Sequence, residues 1–415
     1  MAGKITRRSL LLGVGSLTVT QWVSACQFWQ RPPQFLVEFL ASSIPAPLLK
    51  KFQSAIQNRA KLKPLPIAQL AEGMLSTSSL EQSASPLSQL PLIGTRSSNP
   101  PTVPDVVSLG DSWLQRAIQN EQLEPLRFSQ DSGWHTLPST FQALVMRNAQ
   151  GLLDANGKIW GAPYRWGHLM IAYRVEQMAK VGKDIIDWQD LWQEELQGHL
   201  SLLDNDRVVL GLVLKSLGKS INTTDLRMVS KLKDRLTTLN RQAKFYSSDS
   251  YLQPLLLKDT WVAIGWSTDI LPLVRRDRRI NAVVPKSGTI LTADIWVKPV
   301  KTASSDENSN EQKSQSNPTN GSETNGGDAL TDTLVEEWIQ FFWESSIATQ
   351  LALLSSGASP VLLSPPLKKE LPLALVNDAL LMPSDDIMDK SEFLEPLPDQ
   401  AIALYQEYWE KMRQS

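Results

Sequence analysis

Residues 159–173, with the sequence IWGAPYRWGHLMIAY, constrain the fold of this chain more than any other segment. Pro163 fixes its own φ angle and lacks an amide hydrogen, so the backbone there must be extended and lie at the edge of a sheet or between sheets. Aromatic and basic side chains, Tyr164, Arg165 and Trp166, are followed by a glycine and an apolar run. By spacing alone, the segment predicts a buried strand followed by a turn.

Strand and helix patterns alternate on both sides of this segment. A strand at 35–40, a helix at 48–60 and a proline-containing edge strand at 62–67 come before it. After it, the sequence predicts helices at 187–195, 207–217, 224–243 and 251–257, and strands at 200–203, 245–246, 262–265, 281–284 and 294–297. Alternation at this spacing is typical of an α/β fold with a largely parallel sheet.

Length and composition limit the classes of function. The chain has 415 residues, of which 42% are hydrophobic and 20% charged, as is ordinary for a soluble globular protein of two or three domains. Its 41 basic and 43 acidic residues leave a net charge of −2, so no overall field attracts nucleic acid or an anionic membrane surface. We therefore expect no nucleic-acid partner.

The N-terminus has the features of an export signal. Arg7 and Arg8 precede a modest apolar run at 10–19, a pattern typical of Tat-type secretion and too short and polar for a permanent membrane anchor. Cys26 ends the sequence VSAC, which resembles a lipoprotein signal-peptidase site. It is the only cysteine, which excludes disulfides and cysteine-based metal sites. We predict a signal peptide at 1–25 and a lipid on Cys26; the alternative is an incidental cysteine after an ordinary signal peptide.

Residues 302–328 form a low-complexity segment that contains one apolar residue, Ala303, and no aromatic residue. Such a sequence has almost no surface to bury, so it cannot offset the entropy cost of folding and is predicted to be disordered. We expect an insert that decorates the surface, and we assign it no function.

Polar residues follow one predicted strand where ligands commonly bind. The strand at 106–109 runs into Gly110, Asp111 and Ser112, and a helix is predicted at 113–120. Asp111 or Ser112 is expected to cap that helix, leaving free N–H groups directed at a cleft beyond the strand's carboxyl end. A plain helix cap without a ligand is the alternative. Most of the 14 tryptophans are expected to fill the core, with three placed instead at element ends: Trp113, Trp166 and Trp266.

Several motifs together resemble one protein family. PYRWG at 163–167 precedes DWQDLW at 187–192, and LGKSINTTD follows at 217–225. A strand with a terminal tryptophan at 262–266 and the PKSG sequence leading to Asp294 complete the series. Over roughly 158–299 and the C-terminal helix, the chain resembles the bacterial periplasmic spermidine/putrescine-binding proteins of ABC importers.

The resemblance implies a fold and a function. The fold is an α/β, two-lobed periplasmic-binding-protein fold of type 2. Each lobe is a mixed sheet flanked by helices, and the lobes are joined by hinge strands near Pro163 and Asp294. The implied lobes are 34–165 with 293–365, including the insert, and 166–292 with 366–415. The implied function is capture of a small solute, with a polyamine as the first choice, by a monomeric periplasmic lipoprotein that delivers it to the membrane subunits of an ABC permease.

The resemblance also implies binding residues. An alkylammonium ligand needs carboxylates for its charge and aromatic faces for its methylene groups. Asp294 matches the family's amine-binding aspartate and Trp266 its cleft tryptophan, whereas Asn205 and Thr292 stand where the family has an acidic and a tryptophan residue. Glu395 lies near a late polar contact. The predicted ligand-binding residues are Gly110, Asp111, Ser112, Trp113, Trp166, Asn205, Trp266, Asp294 and Glu395.

The sequence offers little support for an enzyme. Its three histidines are far apart, and it has no H-E-x-x-H, G-x-S-x-G, P-loop or strand-linked G-x-G-x-x-G motif. We expect no catalytic residue, cofactor or metal site. Two alternatives stay open: a different polar or anionic solute held by the N–H groups of Gly110–Ser112 and by Arg165, or a non-transporting structural or interaction lipoprotein. Asp294 could also pair with Arg165 and only hold the hinge.

Overall fold

The computed structural model describes residues 35–56, 59–67, 69–70, 103–301 and 326–415. The predicted export signal with Cys26 lies outside the described residues, as does the predicted insert apart from residues 326–328. Within the described ranges, no helix has the length and apolar character needed to cross a membrane.

Thirteen strands are described. They are β1 Phe35–Leu40, β2 Ala60–Leu65, β3 Val106–Gly110, β4 Leu123–Glu124, β5 Met146–Arg147, β6 Lys158–Ile159, β7 Ala162–Arg174, β8 Leu200–Leu202, β9 Ala243–Tyr246, β10 Val262–Trp266, β11 Ile280–Val283, β12 Ile290–Pro299 and β13 Glu392–Phe393. Eleven of them form one sheet, and β5 and β6 form a separate pair.

The described α-helices lie between and beside these strands. They are α1 Ala46–Ala55, α2 Leu114–Gln119, α3 Ser139–Val145, α4 Val175–Val181, α5 Asp206–Ser216, α6 Leu232–Gln242, α7 Gln253–Leu256, α8 Ser267–Arg276, α9 Gly326–Trp343, α10 Ser345–Leu354, α11 Pro365–Lys368, α12 Leu373–Val376, α13 Asp385–Met388 and α14 Asp399–Arg413. Short 3₁₀ turns connect several of them.

Two long antiparallel strands, β7 and β12, form the middle of the sheet, whose order is β2-β1-β3-β12-β7-β10-β8-β9. The first half of β7, up to His168, pairs with β12, and the second half, from Leu169, pairs with β10 and β11. The predicted hinge strands are therefore neighbours in the sheet, paired from Leu291 to Trp296 with a register shift between Asp294 and Ile295. The edge of β7 opposite β12 pairs with no strand along its first half; among the described residues it makes one isolated β-bridge there, between Trp166 and Ala358. Pro163 therefore lies at a sheet edge, as predicted.

Alternation along β7 assigns its side chains to different cores. Leu169 and Ile171 belong to one buried cluster with α5, α6 and α14, whereas Met170 and Ala172 face a smaller cluster with α8 and β11. Because successive side chains of a strand point to opposite faces, these two clusters cover both faces of one half of the sheet. A third cluster, around Trp296 and Trp338, covers the other half.

We call the part packed on the Trp296 cluster the first lobe, and the part packed on the other two clusters the second lobe. The sheet mixes parallel and antiparallel pairs, so the fold is the predicted two-lobed α/β architecture but is less parallel than the alternation suggested. Segment 366–415, predicted for the second lobe, is divided: Leu375 and Leu381 pack in the first lobe, and α14 packs in the second.

Two predicted helices are interrupted by a backbone break inside their predicted bounds. At 187–195 the structure has two 3₁₀ turns, Trp188–Trp192 and Glu194–Leu196, because Gln193 between them is extended. At 224–243, Lys231 adopts a left-handed conformation with a φ of 64° and separates the 3₁₀ turn Leu226–Met228 from α6. In both cases a local backbone break overrides a continuous apolar pattern.

Candidate functional site

A cavity of about 440 Å³ lies between the lobes, where the carboxyl ends of β3, β8 and β10 meet the central strands β7 and β12. This is the position at which open α/β sheets bind ligands. Seven of the nine residues predicted from the sequence line it: Gly110, Ser112, Trp113, Trp166, Asn205, Trp266 and Asp294. We refer to this cavity as the cleft.

Asp294 on β12 is paired with Arg165 on β7. The two residues are direct neighbours across the strands, and Nε of Arg165 donates to Oδ2 of Asp294 at 2.6 Å. The side chain of Arg165 is 7% exposed and that of Asp294 is 21% exposed. Burial lowers the pKa of Arg165, but the charge and hydrogen bond of Asp294, together with the nearby Tyr164 and Asp269, more than offset this, so that the pKa is raised overall. The acid singled out by the resemblance therefore already has a native cation.

Gly357 makes room for this ion pair. A Cβ at that position would lie 2.6 Å from Cγ and 2.8 Å from Cδ of Arg165. Both distances are shorter than any ordinary carbon contact, so the stem of Arg165 reaches Asp294 only because residue 357 has no side chain. The first-lobe wall of the cleft thus depends on a glycine that lies 192 residues after Arg165 in the sequence.

The prediction that Asp111 or Ser112 caps the following helix is wrong. The residues preceding the 3₁₀ turn Asp111–Trp113 and helix α2 make no side-chain cap hydrogen bond. Asp111 instead turns inward: its Oδ1 accepts from Oγ1 of Thr292 at 2.9 Å and from the amide of Ala293 at 3.0 Å. Burial raises its pKa to about 6, and these hydrogen bonds only partly oppose that effect. Asp111 stabilises β12 through these two hydrogen bonds and does not line the cleft.

Glu395 likewise does not line the cleft. Its segment crosses between the lobes next to β13, and its amide donates to Oδ1 of Asn222 at 2.9 Å. Nδ2 of Asn222 donates in turn to the carbonyl of Phe393, and Lys215 pairs with Glu392 at 2.7 Å. The LGKSINTTD motif therefore holds a third crossing segment in place, a structural role that its resemblance alone did not indicate.

Asn205 and Trp166 have structural partners. Oδ1 of Asn205 caps helix α5 by accepting from the amide of Val208 at 3.0 Å. Trp166 is 2% exposed, and its ring packs edge-on against Phe141 in the first-lobe core. Trp113, by contrast, is 37% exposed, and Trp266 is half-buried at the end of β10. The tryptophan faces available to a ligand are thus those of Trp113 and Trp266.

Two acids that the sequence analysis missed, Asp249 and Asp269, line the second-lobe wall of the cleft. Asp249 follows β9 and Asp269 lies in the first turn of α8, just after β10. Both side chains are exposed, and within the described residues neither pairs with a lysine or arginine. The signal that could have found them is the strand-end rule applied to Gly110–Ser112, because each acid follows a strand by three residues.

Among the described residues, no group of three or more histidine, cysteine, aspartate or glutamate side chains is placed to hold a metal ion. The cleft is lined by carboxylates, guanidinium groups and indole rings, all suited to recognition of a polar or charged organic molecule.

Residues 102–309 match the model of a family described as bacterial extracellular solute-binding protein. This chain belongs to that family. The family description names its members as extracellular solute-binding proteins.

Curated relatives and a solved structure agree with this membership. The chain is 26% identical over 254 residues to the spermidine/putrescine-binding periplasmic protein of Salmonella typhimurium, which covers 61% of this chain and 64% of the relative. It is 26% identical over 168 residues to the putrescine/cadaverine-binding protein of Pseudomonas aeruginosa, covering 37% of this chain and 48% of the relative. The matched region thus spans less than two thirds of these relatives.

The fold is similar to that of the spermidine/putrescine ABC transporter substrate-binding protein of Streptococcus pneumoniae. The TM-score is 0.68 at 18% identity, over 92% of this chain and 98% of the other. At this identity, the likeness establishes the two-lobed architecture of the solute-binding protein.

Proposed function

We propose that this solute-binding protein captures a short polyamine in the cleft. The observation that carries the proposal is the pair of second-lobe carboxylates, Asp249 and Asp269, which line the cavity and form no ion pair within 4 Å among the described residues; the charge of Arg165 acts on Asp269 only from across the cleft. A carboxylate that loses water when lobes close needs a positive partner, and a ligand ammonium group supplies one.

The aromatic walls suit the rest of such a ligand. Trp113 and Trp266 come from opposite lobes and both line the cavity. Indole faces cover methylene groups and attract ammonium groups through the ring quadrupole, so a chain of methylenes between two amines matches this surface. The side chain of Asp294 still has acceptor capacity, because a carboxylate has about four lone-pair sites and Arg165 uses one of them.

Delivery to an ABC permease and a periplasmic location are the remaining parts of the proposal. The name of the Salmonella relative, a periplasmic spermidine/putrescine-binding protein, supports the location, and the name of the Streptococcus protein, an ABC transporter substrate-binding protein, supports delivery. The twin arginines and Cys26 support a lipid anchor on the outer face of the inner membrane. Fractionation of cells that express Cys26→Ser is expected to release the protein from membranes; soluble wild-type protein would contradict the anchor.

One observation favours the alternative of an anionic solute. Arg116 also lines the cleft, and no acidic side chain in the described part of the chain pairs with it. An organic anion would find this guanidinium together with the Gly110–Ser112 backbone.

Titration calorimetry of the protein lacking residues 1–25 distinguishes these ligands. Putrescine and spermidine are expected to bind, and Asp269→Asn and Asp249→Asn each to weaken binding by about tenfold or more, as loss of one partner of a charge pair does. Asp234→Asn, which changes an exposed second-lobe acid outside the cleft, is the matched control and is expected to bind as wild type. Binding of succinate or phosphate, with no binding of amines, would establish the alternative.

A further inference from the structure

Tyr251 is a buried titratable residue that no part of the binding scheme yet uses. It is 3% exposed and does not line the cleft. Its phenol hydroxyl donates to Oδ2 of Asp269 and accepts from the amide of Trp266 at 3.4 Å. One hydroxyl group therefore links the acid and the tryptophan that form the second-lobe wall.

The ring itself is held on several sides. It lies against Gly265, where a Cβ would come within 2.1 Å of the ring carbon Cε2. The backbone carbonyl of Tyr251 accepts from Oγ of the buried Ser201 on β8 at 2.5 Å. The phenol thus has a fixed position relative to β8 and β10, and it can transmit that position to an exposed side chain that it contacts.

The chemistry of the hydroxyl suits this task. Burial, and after it the charge of Asp269, raises the pKa of Tyr251, so the phenol stays protonated and acts as a donor. By occupying Oδ2, it selects one rotamer of Asp269 and leaves the second oxygen for another donor. An exposed aspartate without such a partner would lose rotamer freedom on binding, and this loss weakens affinity.

We propose that Tyr251 is a positioning residue for amine recognition, which holds the Asp269 carboxylate and Trp266 in the geometry that receives one ammonium group of the ligand. This inference rests on the proposed function. Tyr251 acts only through the residues that it contacts, because its own side chain does not reach the cavity.

A double-mutant cycle with putrescine tests the inference by calorimetry. Tyr251→Phe keeps the ring against Gly265 and removes the hydroxyl, and is expected to weaken binding about tenfold, as loss of a hydrogen bond to a charged group does. In an Asp269→Ala background, the same change is expected to alter affinity by no more than about threefold, because the carboxylate is gone and only the long hydrogen bond from the amide of Trp266 remains to be lost. Equal losses in both backgrounds would overturn the inference and leave Tyr251 as a core residue.

Tyr246→Phe is the matched control. It removes a phenol hydroxyl that donates to Asn240 at 2.9 Å in the same lobe but outside the cleft, and affinity is expected to be unchanged. If Tyr251→Phe does not fold, Asp269→Glu replaces it, because the longer side chain keeps the charge at an exposed site and loses the geometry. Wild-type affinity in Asp269→Glu would overturn the inference. Absence of amine binding in wild type would instead contradict the proposed function.

Discussion

The two walls of the cleft hold their carboxylates in opposite ways. On the first-lobe wall, Asp294 is bonded to a nearly buried arginine, and Asp111 lies beneath it, turned into the protein. On the second-lobe wall, Asp249 and Asp269 are exposed and pair with no lysine or arginine of the described chain. An acidic residue near a cleft is thus structural when a lysine or arginine of the protein pairs with it, and is available to a ligand when none does.

The acids of the two lobes are therefore expected to have different roles: those of the first lobe in stability, and those of the second lobe in binding. The first-lobe pair sits on the two central strands, where its loss would disturb the hinge. The second-lobe acids sit after strand ends, where a change alters the cavity surface with little effect on packing. Four predictions test this comparison, from the largest expected effect to the smallest.

Asp294→Asn should destabilise the unliganded protein far more than Asp269→Asn does. Removing one partner of a buried pair typically costs about 3–5 kcal/mol, because the remaining Arg165 charge stays buried. Asp269→Asn removes an exposed charge but keeps an oxygen that accepts from the buried Tyr251 hydroxyl, so it should change the free energy of unfolding by only about 1 kcal/mol. Urea unfolding at neutral pH gives both values, and equal stabilities would remove the contrast between the walls.

The matched control for this experiment is the double variant Arg165→Met with Asp294→Leu. Replacing both charges by apolar side chains leaves no unpaired buried charge, and stability should recover most of the loss. If the double variant is no more stable than Asp294→Asn, the cost comes from packing and not from the charge.

Asp111 should make the first-lobe wall sensitive to pH. Its pKa is raised from 3.8 to about 6, so the folded state binds a proton that the unfolded state has already released between these values. The stabilisation by this group is present below pH 3.8 and is lost as the pH rises through about 6. The loss amounts to about 3 kcal/mol for a shift of about two pKa units.

Asp111→Asn keeps the acceptor oxygen and removes the titration. The difference in unfolding free energy between wild type and Asp111→Asn should therefore move in favour of the variant as the pH rises from about 4 to about 7. Urea unfolding of both proteins across this range measures it, and a difference that stays constant with pH would show that Asp111 does not titrate there.

Gly357→Ala should break the first-lobe pair indirectly. The added methyl group would lie 2.6 Å from Cγ of Arg165, so the arginine must shift away from Asp294. Overpacking of this kind costs about 1–3 kcal/mol. In an Asp294→Asn background the cost should be smaller, because the pair is already absent; thermal unfolding of the four proteins detects this, and full additivity would argue against the link.

Trp113→Ala should have the smallest effect. Its side chain is 37% exposed and lies outside the buried clusters, so stability should fall by no more than about 1 kcal/mol. Loss of the indole face should weaken putrescine binding by about threefold, in line with an exposed cation–π contact. Titration calorimetry gives the affinity, and thermal unfolding gives the melting temperature. An unchanged affinity with a lower melting temperature would show that Trp113 contributes to folding and not to recognition.

The sequence predicted the architecture well because the relevant signals are local. Apolar runs located β3 and β10 to within one residue of their observed bounds, whereas β7 runs on to Arg174 without the predicted turn and β12 begins four residues before the predicted 294. The strand-end rule placed Gly110 and Ser112 in the cleft lining, and the family resemblance added Asn205, Trp266 and Asp294. The same rule, applied at 246 and 266, would have found Asp249 and Asp269, so their omission reflects reliance on the family pattern at Asn205.

Only the tertiary structure decided the state of each charged group. Whether Asp294 is free depends on Arg165, which lies 129 positions away, and the position of Arg165 depends on Gly357. The inward turn of Asp111 depends on the amide of Ala293 across a strand pair. By itself the sequence determined the α/β class and the central strands, because these follow from local patterns. Charge pairing and pKa values follow from distances of a few ångströms and from burial, which exist only once remote segments have packed.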